Sequence, residues 1–466
     1  TTGVAANSVT LGNTNVTAVY MAQDSGAKVH CLDVAPTGGT LKENLLTNSG
    51  FDVWSNATCE NVGSEFVTNG AFASDSGWTK DTGWTITGGK GVASSAASTY
   101  AIQQSISATV AGKLYRVKVT VSDYSAGGIF FHQIDGTNAS PTFASDATHT
   151  YVFEALSART TLAIRALGTT TLKIDDVSLY EVTPACIAAD NKAMDGWARD
   201  RDSGNYPDIY RQHDDGGTLT KDGSFYSLKV VKDNNAREYL YGIKNYTQPT
   251  VLQKFAGRTV TFGCWIKSVT ATDNVRLGFY DGSHNVSSLL TTADSWQWVE
   301  YTHTVSATPT GATPEIIFDG DASDVAYISQ PMLVFGNSIG EGNYTRPQGE
   351  IIHFETTSHR KLTDYDNVTI SSDTLKLNLE AQTEGRVPKG AKAVQMRFVG
   401  KSSTVGAVML IDDTSVHNNI HVYSQVSNVV TSMGGIVACD ADGDIGIERS
   451  NTWTGCYLYY DAVHLH

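Results

Sequence analysis

The opening Thr47-Asn48-Ser49-Gly50-Phe51 recurs as Thr68-Asn69-Gly70-Ala71-Phe72 before the first copy has enough chain to fold. Further on, Ala111-Gly112-Lys113-Leu114-Tyr115-Arg116-Val117-Lys118-Val119-Thr120-Val121 aligns without a gap on Ala256-Gly257-Arg258-Thr259-Val260-Thr261-Phe262-Gly263-Cys264-Trp265-Ile266. The openings lie 21 positions apart (68 minus 47), whereas the middles lie 145 apart (256 minus 111). Tandem repeats keep one offset throughout. Unequal offsets point to one β-module inserted near the beginning of another, an organisation usual for binding proteins. The termini of a β-sandwich lie close together, so a whole module can sit in a loop of its host with little strain.

Composition agrees with strands. Charged residues make up 17% of the 466, with 43 Gly and only 10 Pro, below the roughly one quarter usual for soluble domains. Short strands joined by polar turns give that balance; helices rich in Ala, Glu, Lys and Leu do not. The fold class expected is all-β, in about three or four domains. A net charge of −15 would repel phosphate backbones and anionic bilayers, which argues against nucleic acid. No apolar run approaches the ~20 residues of a spanning helix, so no membrane insertion is expected. Thr1 opens without a charged-then-apolar leader, as in a processed chain or one released by lysis. Six cysteines are too sparse for a disulfide-dense scaffold and lack metal-ligand spacing.

Along the chain, residues 1–43 carry short strands between Gly and Asn turns. The stretch NSVTLGNTNVTAVYMAQDSGAKVH (7–30) resembles the β-stem of phage tail fibres, which implies three chains wound together and an attachment end directed at other virion proteins. Residues 60–183 form the inserted module, in which Tyr115, Val117, Val119 and Val121 share one face and Arg116, Lys118 and Thr120 the other. Its Asn69-Gly70-Ala71-Phe72, Gly77-Trp78, Gly83-Trp84 and Ile174-Asp175-Asp176-Val177-Ser178-Leu179 resemble carbohydrate-binding jelly-roll modules. The outer module takes 44–59 plus 184–346; its Asp195-Gly196-Trp197 matches Ser76-Gly77-Trp78, but its closing strand Ala326–Val334 lacks the paired aspartates. After Pro347 the alternation changes, and 347–466 is expected to be a C-terminal β-sandwich cap. Its Val387-Pro388-Lys389-Gly390-Ala391-Lys392-Ala393-Val394 resembles terminal sandwiches of phage fibres, and its hydrophobic density suits packing against copies of itself.

The module resemblance implies a structural Ca²⁺ held by Asp175 or Asp176 with the Asn69 region, hard oxygens suited to that ion; the alternative is two aspartates serving solvent and a turn. Asp440-Ala441-Asp442-Gly443-Asp444 departs from a calcium loop, with Gly ahead of the third Asp rather than after it, and reads better as a β-turn. Cys59 and Cys186 flank the insert, and a disulfide there would need Cα atoms about 4.4–6.8 Å apart. Cys264 shares parity with Val260, Phe262 and Ile266 and is expected to be a buried thiol. Sugars stack their C–H faces on Trp and Tyr. Trp265, opposite in parity to that core set, is expected as an exposed platform, with Tyr206, Tyr210, Tyr239 and Tyr241 as further outer-module contacts and Trp84 as the inner one. Trp78, Trp197 and Trp298 are expected in cores.

No GxSxG, HExxH, P-loop or GxGxxG is present, so no catalytic residue is assigned. The sequence is read as a phage virion fibre or appendage protein, a homotrimer at the virion surface or otherwise extracellular, contacting host-surface glycans. The rival readings are the non-catalytic part of a secreted polysaccharide-degrading enzyme and a passive capsid or sheath decoration.

Overall fold

The computed structural model describes residues 42–466 except 188, 214–217, 270–274, 288–293, 348, 362–374, 413–419, 452 and 466. Apart from its last two residues, the expected stem over 1–43 lies outside the described residues. The described chain is all-β but for two short helices.

Ten strands come first: β1 (Thr58–Val62), β2 (Thr79–Lys80), β3 (Trp84–Thr87), β4 (Lys90–Ala96), β5 (Ala101–Ser105), β6 (Leu114–Ala126), β7 (Ile129–Phe131), β8 (Ala147–Glu154), β9 (Thr161–Ala166) and β10 (Thr170–Cys186). One layer runs β8-β6-β10-β4-β3 and the facing layer β2-β5-β9-β7, every pairing antiparallel. The alternation along β6 is the one the sequence implies: Tyr115, Val117, Val119 and Val121 are buried, while Lys118 is exposed.

The next stretch contains β11 (Ala198–Arg201), β12 (Asp208–His213), β13 (Tyr226–Val231), β14 (Glu238–Tyr241), helix α1 (Pro249–Phe255), β15 (Thr259–Ser268), β16 (Val275–Tyr280), β17 (His284–Val286), β18 (Gln297–Thr304), β19 (Thr313–Phe318) and β20 (Val325–Phe335). Its layers run β18-β15-β20-β13-β12 and β11-β14-β19-β16-β17. With β17 set aside as an addition, the strand order of the first sandwich recurs in full. The main layers are continuous, because the end of β10 pairs with β12 through Ala185↔Tyr210 and Cys186↔Ile209.

Matching details extend to the openings. Asn48 and Phe51 take positive φ (53° and 58°), as do Asn69 and Phe72 (52° and 49°). Phe51 N–H donates to Asn48 O at 3.0 Å and Phe72 N–H to Asn69 O at 3.1 Å. The Phe51 ring packs on Trp197 at 5.5 Å, and the Phe72 ring on Trp78 at 5.2 Å. Leu45 N–H donates to Leu333 O (2.8 Å) where Phe66 N–H donates to Leu179 O (3.0 Å). One core cluster joins Leu46, Phe51, Trp54 and Ala57 to residues between Cys186 and Leu333. A separate cluster is drawn from Val67 to Leu179. Trp78, Trp197 and Cys264 are core residues, as expected. Trp298 is only partly buried.

The disulfide expectation is corrected. Cys59 and Cys186 are both free thiols. β1 pairs with β10 as Thr58↔Ala185 and Cys59↔Pro184, so the two cysteines are diagonal neighbours. That relation separates Cα atoms by about 7–8 Å, beyond the ~4.4–6.8 Å that a disulfide spans. Burial pushes each thiol up to about 12.

The C-terminal sandwich contains β21 (Ile351–Lys361), β22 (Leu375–Leu377), helix α2 (Leu379–Gln382), β23 (Ala393–Ser402), β24 (Val408–Asp412), β25 (Ile420–Tyr423), β26 (Thr431–Ala438), β27 (Ile445–Arg449) and β28 (Trp453–His464). Its layers are β21-β28-β23-β26 and β22-β27-β24-β25. Polar contacts seat it on both other sandwiches. Buried Arg211 of β12 reaches Glu380 Oε1 at 2.5 Å, and the Tyr226 hydroxyl donates to the same oxygen at 2.8 Å. Glu154 of β8 accepts from Lys389 Nζ (2.7 Å) and Asn378 Nδ2 (2.6 Å).

Candidate glycan-contact face

The second layer of the outer sandwich presents a face of aromatic and acidic groups. Leu240 and Ile316 pair across β14 and β19 and enter the core. Period-2 alternation therefore turns Tyr239, Tyr241, Glu315 and Ile317 the other way. There Tyr239, Tyr241 and Ile317 form a cluster of their own, with Tyr246 packed against it. Tyr280 joins from β16 and His284 from β17. The Tyr239 ring stacks on His284 at 4.8 Å, and Tyr280 lies 5.1 Å from the same imidazole. Tyr246 meets Tyr241 edge-on at 5.2 Å and Tyr280 at 5.8 Å. Gly311 makes room, since a Cβ there would fall 2.5 Å from the Tyr280 ring.

Acids underlie the rings. Tyr239 donates its hydroxyl to Asp202 at 2.8 Å, and Tyr241 hydrogen-bonds Asp200. Glu315 is fully buried, with Oε1 held 2.8 Å from His284 Nδ1. Burial raises the Glu315 carboxyl, and the hydrogen bond to Glu315 raises His284. Burial also pushes both tyrosines upward, so they stay neutral donors and acceptors. Asp319 binds both Arg237 (2.6 Å) and Arg276, while Asp200 and Asp202 serve as acceptors beside the rings. Flat rings beside oriented acceptors can hold the C–H face and hydroxyls of a sugar.

The sequence-predicted residues divide unevenly. Tyr239 and Tyr241 lie at the centre of this face, although neither ring is open: they are 2% and 4% exposed. Tyr206 is half-buried and lies against Arg201, whose guanidinium sits 3.7 Å from its ring centre. Tyr210 belongs to β12 in the other layer, with Lys229 Nζ 5.4 Å from its ring. Trp265 is corrected: its parity is opposite to the core set, yet it is 8% exposed, covered by Lys221 Nζ at 4.1 Å and by Trp298. Trp84 is corrected too, being 3% exposed within the inner core. Sequence reasoning missed Tyr246, Tyr280, His284, Glu315 and Asp200. The alternation of Arg276–Tyr280 and Thr313–Phe318 was a usable signal for Tyr280 and Glu315.

On the inner sandwich, Asn69 and Asp176 line an open polar groove of about 930 Å³ with Glu65, Arg116, Lys118 and Tyr180. These residues do not fit calcium. Asn69 turns its amide N–H groups to the carbonyls of Ser74 and Ser76 (2.8 Å each), and Asp175 ion-pairs with Lys90 at 3.2 Å. Two adjacent carboxylates, one already paired with a cation, fall well short of the 6–8 oxygens Ca²⁺ takes. Among the described residues, the three-carboxylate group close enough to share an ion is Asp440, Asp442 and Asp444. Lys376 Nζ already lies 3.0, 3.3 and 3.2 Å from them. Gly443 N–H closes on Asp440 O at 3.0 Å, so this segment is a turn neutralised by a lysine.

No family model matches the chain, and no curated protein does. Among solved structures, the enzymatically active domain of bacteriophage CBA120 tailspike protein 4 is 12% identical over 30% of this chain, with a TM-score of 0.23; the match spans 19% of that protein. The tandem CBM22-1–CBM22-2 domain of Paenibacillus barcinonensis Xyn10C is 11% identical over 59% of this chain and 99% of its own, TM-score 0.21. An archaeal virus protein with a triple jelly-roll fold matches at 9% identity over 83% of this chain and 89% of its own, TM-score 0.17. Likenesses of this strength carry no functional argument; the all-β architecture rests on the strands themselves.

Proposed function

We propose that the chain is a non-catalytic surface protein of a phage virion, a self-associating (trimeric) adhesin whose outer sandwich contacts host-surface glycans. In this reading residues 44–59 plus 184–346 form one jelly-roll module, 60–183 a second seated within it, and 347–466 a terminal cap. The N-terminal segment joins other virion proteins. The observation that carries the glycan reading is the aromatic cluster on the side of the second layer away from the main core, where half-buried Tyr246 and Tyr280 lie against buried Tyr241 and Tyr239, backed by the Glu315–His284 pair. The net charge of −15 favours neutral or cationic sugars over sialylated or sulfated ones. Single-site affinity on such a face is weak, and linking copies raises avidity by a factor on the order of 10²–10⁴.

Screening the full chain on a bacterial glycan array tests this. Retention of neutral glycans, reduced by Tyr280→Ala, is expected. Release of shortened sugars from a bound polysaccharide would turn the reading towards a degrading enzyme. A folded chain that retains no glycan would leave only a decoration role.

A further inference from the structure

One surface of the C-terminal sandwich lacks the protection expected of an open sheet. β26 ends its layer, hydrogen-bonded to β23 alone among the described strands. Edge strands normally carry charge or proline that blocks pairing with another chain. From Val422 to Cys439 the sequence holds no Asp, Glu, Lys, Arg, His or Pro. Within it Tyr423, Val426, Val429, Val430, Met433 and Ile436 stand between 47% and 62% exposed. Most large apolar side chains left exposed elsewhere on the described chain are scattered singly, such as Val110 and Leu167, and such residues need no explanation. An apolar run along one sheet edge does, with Met433 on the side of β26 that shares Val437's parity and Ile436 on the other.

We infer that this surface is where a second copy of the chain docks. The proposed self-association supplies the occupant, and charge bears on where copies can meet. Each chain carries −15, so like-charged copies repel over most approaches, and only an uncharged patch lets two of them meet without burying opposed acids. The edge of β26, open among the described strands, adds backbone donors and acceptors that a strand of the same sequence can complement. The inference rests on the self-association within the proposed reading; glycan contact does not enter it.

Multi-angle light scattering and sedimentation on the full chain test the assignment. The wild type is expected to be oligomeric, with assembly strengthened by added salt as the net charge is screened. Val430→Lys with Met433→Lys should weaken association by about tenfold or more at an unchanged melting temperature, because each lysine would have to be desolvated in the contact. Val110→Lys, an exposed valine of the inner sandwich, should leave assembly intact. Hydrogen exchange on the unmodified chain gives a second readout: amides of 426–436 should become protected as protein concentration rises. An oligomer indifferent to both lysines, with no concentration-dependent protection there, overturns this surface but leaves self-association standing. A monomeric wild type overturns both.

Discussion

The inner and outer sandwiches share a strand order but differ on the outward face of the second layer. In the outer copy the register sets Tyr241 opposite Glu315 and Tyr239 opposite Ile317, around the core pair Leu240↔Ile316. In the inner copy the core pair is Ile102↔Ile164, and the corresponding outward pairs are Gln103↔Ala163 and Ala101↔Arg165. The scaffold is the same, yet a row of rings over acids becomes small side chains beside an arginine. The fold supplies a platform, and recognition depends on a handful of outward positions. The closing bulge differs as well. Asp176 and Gln330 both take positive φ there (47° and 52°), so the irregularity belongs to the fold, while the acid belongs to one copy.

The largest effect expected from breaking this pairing comes at the two indoles. Trp197 is fully buried and donates Nε1–H to Thr47 O at 3.1 Å, 150 residues earlier in the chain. Trp78 donates to Asn69 O at 3.0 Å within its own module. Either alanine variant should cost about 3–5 kcal/mol in denaturant unfolding. Hydrogen exchange should separate them: Trp197→Ala loosens 44–57 together with β11–β20, and Trp78→Ala loosens β1–β10.

A smaller, pH-dependent effect belongs to the outer opening alone. Asn48 N–H donates to Glu350 Oε1 at 2.6 Å, and burial raises that carboxyl to about 7. The inner opening is held by Asn69 to carbonyls, which do not titrate. A carboxyl near 4.3 when unfolded and about 7 when folded contributes stability that is complete below the lower value and lost as pH rises through the upper one. Wild type measured against Glu350→Gln should therefore gain about 1–3 kcal/mol between pH 8 and pH 5. A flat difference would place the proton elsewhere. Least of all, Asp176→Gly and Gln330→Gly should each stabilise by up to about 1 kcal/mol, relieving left-handed backbone. Unequal melting shifts would show that the two bulges are not equivalent.

Alternation and turn chemistry made the all-β class legible, because period-2 burial is a local property: the faces of β6 can be read directly from Tyr115 to Val121. In the C-terminal sandwich β23 reads the same way, with Val394, Met396 and Phe398 on one face. β21 and β25 do not; Ile351–Lys361 carries charge along its length, and Ile420–Tyr423 spans only four residues. Parity also placed Trp265 correctly on the side away from the core. It could not reveal that Lys221, distant in sequence, lies over the ring. Register was the recurrent gap. It makes Cys59 and Cys186 diagonal, and it gathers His284, Glu315 and Tyr239 on one face from three strands. Only Tyr239 of those three drew attention in the sequence.

Calorimetric titration of the best array glycan into matched variants compares the two faces directly. Tyr280→Ala and His284→Ala in the outer copy are expected to weaken binding by about tenfold each, on the order of 1–2 kcal/mol for a lost stacking surface. Gln103→Ala and Arg165→Ala in the inner copy should leave the affinity unchanged. Binding that survives the outer substitutions and falls with the inner ones would contradict the assignment of recognition to the tyrosine face.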